Sequence, residues 1–119
     1  MVINDHVLVQ RKRGDEYWAL PGGGLEFGET FAQGLEREFL EEFDTRIRVG
    51  PRLDVLENFF TIGGQQHHSV EIYFEVCTVE PGTVEAQEPD LESTWLPVTS
   101  VNEIRPKGIL GRLGVVGNA

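Results

Sequence analysis

The chain has 119 residues, of which 39% are hydrophobic, 25% charged and 9% aromatic, which suits one globular domain over residues 1–119 and excludes a disordered, collagen-like or coiled-coil chain. Twenty acidic against ten basic residues give a formal charge of −10, which argues against DNA, RNA or an anionic membrane as partner. No apolar run approaches the roughly 20 residues of a membrane span. A single cysteine, Cys77, and no charged-then-apolar leader point to a reducing cytoplasm.

Val2-Ile3 is an apolar stub, Asn4-Asp5 a turn pair and His6 to Arg13 a strand, so the chain opens as a hairpin. The stub leaves an edge that a second copy of the chain could cover, making a homodimer an expectation. Tyr17 to Leu20 is a second short apolar piece, cut off by Pro21-Gly22-Gly23-Gly24. A helix is predicted over Phe31 to Phe43, with Thr30 as N-cap and Gln33 completing a capping box. Phe31, Ala32, Leu35, Phe39 and Phe43 recur at helical spacing. Two strands are expected over Ile47 to Leu53 and Asp54 to Ile62, with Gly63-Gly64 breaking the run. Val70, Ile72, Phe74 and Val76 then alternate with Glu71, Tyr73, Glu75 and Cys77 as a half-buried strand. Glu85 to Glu92 reads as an acidic loop and Thr94 to Leu96 as a short strand. Helical turns are expected at Val98 to Ile104 and Lys107 to Leu113, before a glycine-rich tail. Strands and helices mixed in one small chain predict an α/β or α+β layer fold.

The chemistry concentrates on the helix. Glu38, Glu41 and Glu42 stand at i, i+3 and i+4, so their side chains are neighbours on one face. On a helical wheel with Leu35 at zero they fall at about 300°, 240° and 340°, while the apolar stripe centres near about 40°. They therefore flank the buried stripe. Three carboxylates there repel one another, and Arg37 alone cannot neutralise them. A hard divalent cation can, because Mg²⁺ takes oxygen ligands and is held by one or two carboxylates together with substrate phosphates. Gly34 lies within the same face at a cost of about 0.8–1.0 kcal/mol against alanine. Room for an ion or a phosphate would explain it, and so would close packing.

Gly23, Glu29, Arg37, Glu38, Phe39, Glu41 and Glu42 resemble the Nudix box: glycine, five residues, glutamate, seven residues, then arginine, glutamate, a bulky apolar residue, any residue and two glutamates. At about 7% chance per matched position, six matches in one register have joint odds of about 10⁻⁷. The upstream Trp18-Ala19-Leu20-Pro21-Gly22-Gly23-Gly24 and the strand Val7 to Arg11 are similar to what the family carries there. The motif departs at its end, where Asp44 and Thr45 replace glycine and an aliphatic residue, which puts the helix terminus rather than metal binding in question. Phe39 is bulkier than usual, and the first strand is shorter.

The resemblance implies a Nudix-like α/β/α sandwich with a mixed central sheet. It implies a hydrolase of a nucleoside diphosphate linked to another moiety, with water attacking a diphosphate phosphorus and Mg²⁺ or Mn²⁺ as cofactor. Glu38, Glu41 and Glu42 would be metal ligands, with Glu38 or Glu41 alternatively the base, and the Gly23 carbonyl would complete the metal shell. Arg37 and Glu29 would form an ion pair that orients the glutamates. Two rival readings are a nucleotide-binding or regulatory module without turnover on the same fold, and an acidic helix in an unrelated α+β protein.

Around this centre, Arg11 and Arg13 are candidates for phosphate contact, against a solvated strand end. Glu92 is the preferred further acid from a segment that also offers Glu88 and Asp90. Trp18 reads as core before base-stacking surface, and Cys77 as structural. His67 and His68 point to opposite faces of a strand and make a poor metal pair. Glu57 and Glu71 alternate with apolar strand residues, and solvent is preferred for them over the alternative that one faces the site. No Ser-Gln-Pro-Trp-type signal of NADH-cleaving members is present, and the substrate is not readable.

Overall fold

Strand His6–Lys12 is the axis on which the molecule is built. A computed structural model describes residues 1–115; residues 116–119 of the expected glycine-rich tail lie outside it. The elements run β1 (Val2–Ile3), β2 (His6–Lys12), β3 (Trp18–Ala19), α1 (Phe31–Phe43), β4 (Ile47–Ile62), β5 (Gln65–Thr78), β6 (Leu91–Pro97), β7 (Ile104–Arg105) and α2 (Ile109–Arg112). β6 pairs antiparallel along the whole of β2, from His6 opposite Pro97 to Lys12 opposite Leu91. β1 and β3 also pair with β2, at Val7 and at Gln10 respectively. β7 adds to β3 in parallel, which makes the sheet mixed.

The pleat of β2 separates two packed layers. Val7 and Val9 face one way and join Leu56, Val98, Ile104, Ile109 and Leu110, with α2 in that cluster. Leu8 faces the other way and meets Phe39 and Phe43 of α1, together with Ile47, Val76 and Val84. Helices thus cover both faces, and the fold is the α/β/α sandwich around a mixed sheet that the sequence predicts. β4 and β5 form a separate two-stranded hairpin that supplies apolar residues to both clusters. Arg112 of α2 is tied to Asp54 of β4 at 2.6 Å.

Local sequence explains the turns. Asn4 and Asp5 both have positive φ, 51° and 58°, as a two-residue hairpin loop of the type that suits strand twist requires. Gly63 and Gly64 do the same between β4 and β5, at 56° and 80°. The Thr30–Gln33 capping box is formed in both directions. The terminus of α1 is settled: Asp44 adopts φ 49°, ψ 40°, its N–H reaches Leu40 O at 3.1 Å, and Thr45 N–H reaches Phe39 O at 3.2 Å. A short polar residue tolerates the left-handed conformation that glycine usually supplies there.

Four expectations are corrected. The two strands expected between Ile47 and Ile62 are one strand, kept continuous by register shifts between Val49 and Arg52 and between Arg52 and Asp54. Pro51 sits within this irregular stretch, where a missing N–H is tolerated. The expected strand Thr94 to Leu96 extends back to Leu91, so Glu92 belongs to β6 rather than to a loop. The helical turn expected at Val98 to Ile104 is a 3₁₀ turn over Val101–Glu103 followed by β7. Cys77 is exposed, because at the base of the hairpin it is Val76 that turns into the core.

Phe39 is 2% exposed and in contact with the Phe43 ring at a centroid distance of 5.2 Å. Phe39→Ala is expected to cost about 3–5 kcal/mol of stability in denaturant unfolding. A loss under about 1 kcal/mol would place the weight of the α1 layer elsewhere.

Candidate active site

Glu29, Glu38 and Glu41 gather around one guanidinium, that of Arg37. Arg37 Nε donates to Glu29 Oε2 at 2.7 Å, and Nη2 donates to Glu29 Oε1 at 3.1 Å and to the Gly24 carbonyl at 3.0 Å. Its Nη1 donates to Glu38 Oε1 at 2.9 Å and Glu41 Oε2 at 3.3 Å, and Glu26 lies 3.7 Å from Nε. The bidentate pair with Glu29 bridges loop and helix, geometry that suits guanidinium and carboxylate. The hydrogen bond from Arg37 is the main reason the Glu29 carboxyl is held below the ordinary carboxylate value.

The glycine turn closes onto the helix at two places. A Cβ on Gly23 would stand 2.5 Å from Glu38 Oε1, so only glycine lets that carboxylate lie against the loop. A Cβ on Gly34 would stand 2.5 Å from Leu25 Cδ2. Gly34 therefore makes room for the loop's Leu25, and packing rather than a bound ion accounts for it.

The three glutamates differ in their surroundings. Glu38 is 14% exposed at its side chain, and Glu41 is 54% exposed and turned toward Arg37. Burial pushes the Glu42 carboxyl up to about 7, with the neighbouring Glu38 carboxylate adding to the effect and Glu88 and Glu41 contributing less. Glu42 Oε2 is buried and lacks a hydrogen-bond partner, as does Gln10 Oε1. Gln10 shares with Leu8 the face of β2 that α1 covers. Among the described residues no three His, Cys, Asp or Glu side chains are gathered closely enough to hold a metal ion as they stand. The donor chemistry nevertheless fits a hard cation: crowded carboxylates, a raised carboxyl and orphaned acceptor oxygens are what an ion such as Mg²⁺ would satisfy.

Arg11, Arg13 and Glu92 make a cluster of their own. Glu92 stands opposite Arg11 in the β2–β6 ladder, accepts from Arg11 Nε at 2.9 Å and lies 3.4 Å from Arg13 Nη1. Arg11 also covers the Trp18 ring at 4.1 Å from its centroid. None of these three charges lines the cleft described next. The acid that approaches the helix from this segment is Glu88, because Gln87 N–H bonds to the Glu42 carbonyl at 2.8 Å and draws the chain there.

A cleft of about 600 Å³ runs from Gly22–Gly24 and Glu38 to the hairpin, where Asn58, Phe60, Ser69, Glu71 and Tyr73 line it. Of the two strand acids for which solvent is preferred over the site, Glu71 lines this cleft. It accepts from the Tyr73 hydroxyl at 2.5 Å and from Ser69 Oγ at 3.1 Å, partners two residues away on the same strand face. Asn58, Phe60, Ser69 and Tyr73 escape sequence reasoning because only strand pairing and hairpin tilt bring them to the cleft. His67 and His68 stack on Phe60 and Phe59, with ring centroids 5.1 and 4.3 Å apart.

Burial, followed by the hydrogen bond to Glu71, raises the Tyr73 hydroxyl well above its usual value. A raised pKa favours the neutral phenol, so this contribution to stability is intact below about pH 10 and is lost as pH rises through the shifted value. In a Tyr17→Phe variant, where Tyr73 is the sole tyrosine, ultraviolet titration is expected to show ionisation displaced above about pH 10. Ionisation at the ordinary value would mean that the Tyr73–Glu71 bond is not kept in solution.

The sequence matches the NUDIX domain model over residues 1–112. Among solved structures the chain is similar to the solution structure of the E. coli ORF135 protein, with a TM-score of 0.64 and 21% identity over 95% of this chain and 80% of that one. It is similar also to the crystal structure of a UDP-X diphosphatase, with a TM-score of 0.72 and 22% identity over 98% of this chain and 61% of that one. The chain thus spans under two thirds of the diphosphatase's length, and at these identities the two likenesses are of fold. The family match covers nearly the whole chain and makes this protein a member of the Nudix family.

Proposed function

We propose that the protein hydrolyses a nucleoside diphosphate linked to a second moiety, with Mg²⁺, or Mn²⁺ in its place, at Glu38, Glu41 and Glu42. The observation that carries this reading is the Glu38 carboxylate, laid against Gly23 at the head of the cleft, with the orphaned Glu42 oxygen on the same helix. The name of the structurally similar UDP-X diphosphatase agrees with a diphosphate bonded to a variable group.

In this reading the diphosphate lies at the glycine-turn end of the cleft. Water attacks one phosphorus, the bridging P–O bond breaks, and the departing phosphate carries away the electron pair. Glu38 or Glu41 accepts the proton of the water, and the Gly23 carbonyl helps to complete the cation's shell. A bound divalent cation supplies neutralisation of phosphate charge that a −10 chain cannot supply itself. Arg37 holds Glu29, Glu38 and Glu41 in register and so acts as a positioning residue. Arg11, Arg13 and Glu92 stay candidates for the substrate's outer groups only if their mutual pairing opens on binding. A homodimer would have to cover the exposed Val2 and Ile3 or the exposed hairpin residues Phe59, Ile62 and Val70; sedimentation as a monomer at high concentration would refute it.

Release of phosphate-bearing products from a panel of nucleoside-diphosphate compounds is expected with Mg²⁺ and lost with EDTA. Glu41→Gln is expected to lower kcat by at least about 10²-fold with the fold intact. Gly23→Ala, which displaces the Glu38 carboxylate, is expected to reduce both Mn²⁺ affinity in calorimetry and turnover. An unchanged rate in Glu41→Gln, or Mn²⁺ binding indifferent to Gly23→Ala, would remove the helix glutamates from the mechanism.

A further inference from the structure

Across the cleft from Glu38, the β5 wall carries the second carboxylate among the lining residues, Glu71. Hydrolysis of the diphosphate gives it no task. Yet it is fixed with care: Tyr73 holds one oxygen at 2.5 Å and Ser69 the other at 3.1 Å. A carboxylate offers about four lone-pair sites, so one acceptor site remains on each oxygen. The two donors also stop the group from rotating. Each oxygen thus keeps one acceptor site for a ligand in the cleft that Glu71 lines.

The rest of this wall is not suited to a hydrated ligand. Leu20, Phe31, Phe60, Ile72 and Phe74 line the same space. The Phe60 ring is 38% exposed and nearly parallel to His67, at 7° between planes, so a flat surface stands on the same cleft wall, four ladder positions from Glu71 toward the hairpin tip. The complement of such a wall is a flat aromatic ligand with two adjacent N–H donors on one edge. Among the common nucleobases guanine has that edge, with N1–H beside N2–H. Uracil places one N–H between two carbonyls, and adenine and cytosine set an amino group beside a ring acceptor; each would bring an acceptor up to the carboxylate. A sugar diol also has paired donors but gains nothing from apolar walls.

We propose that Glu71, oriented by Tyr73 and Ser69, is a specificity-determining residue that binds the Watson–Crick edge of a guanine base in the substrate. This rests on the hydrolase reading for what happens to the ligand, but not for its binding. Leaving a cleft carboxylate unpaired is costly, so loss of one donor weakens binding more than an apolar mismatch would.

The test uses the full chain and two readouts. Calorimetry compares GDP, IDP, which lacks only the N2 amino group, UDP and 2′-deoxy-GDP; turnover compares sugar conjugates of GDP, IDP and UDP with Mg²⁺. GDP is expected to bind at least about 10-fold tighter than IDP or UDP, and 2′-deoxy-GDP to bind like GDP. In Glu71→Gln the GDP-to-IDP ratio is expected to fall to near one. Tyr73→Phe, which keeps the carboxylate but frees it, is expected to shrink the ratio and to raise KM for the guanine compound without a matching fall in kcat. Equal binding of GDP and IDP, a preference for UDP, dependence on the 2′-hydroxyl alone, or a ratio unchanged in a folded Glu71→Gln would each overturn the proposal. Turnover of all bases alike would leave the hydrolase reading standing and refute this one. Selective GDP binding through Glu71 with no turnover would do the reverse.

Discussion

One guanidinium holds the functional end of this molecule together. Arg37 meets Glu29, Glu38 and Glu41 and the Gly24 carbonyl within 3.3 Å, with Glu26 slightly farther. In a chain of net charge −10 those carboxylates would otherwise push the glycine turn away from α1. Arginine is suited to the task because its planar fork serves several oxygens at fixed angles, which a lysine could not do. The contact of Leu25 with Gly34 reinforces the clamp from the apolar side. Loop and helix are therefore one unit, and the position of Glu38 follows from both.

What was legible in the sequence was what neighbours along the chain decide. The bounds of α1, its Thr30 capping box and the Asn4-Asp5 turn depend on contacts within a few residues, and the periodicity of Leu35, Phe39 and Phe43 marks the buried side. The Arg37–Glu29 pair was legible only because a family motif carries long-range information in its spacing. Glu92 and Glu88 show the limit. Both are acids of one segment, but a ladder position opposite Arg11 claims the first, and a backbone bond from Gln87 to Glu42 brings the second to the helix. Sequence does not decide between Glu57 and Glu71 for the same reason, since alternation says that each lies on a face but not what that face looks onto. Cys77 was misjudged because alternation puts it on the face opposite Val76, which the two-stranded hairpin leaves uncovered.

The cleft thus has walls of opposite character. On one side, backbone and charge are crowded: glycines, Glu38, and close by the raised carboxyl of Glu42 and its orphaned oxygen. On the other, aromatic and aliphatic side chains surround a single braced carboxylate.

The hairpin that forms the second wall is anchored at its base by Ile47 and Val76 and at its middle by Leu56 and the Asp54–Arg112 pair, while Phe59, Ile62 and Val70 toward its tip stand in solvent. A two-stranded ribbon supported at one end bends and twists more readily than a sheet packed on both faces. The molecule resembles a pair of jaws with one stiff member and one springy member. A small tilt of the ribbon would widen or narrow the cleft while the Arg37 clamp holds loop and helix in place.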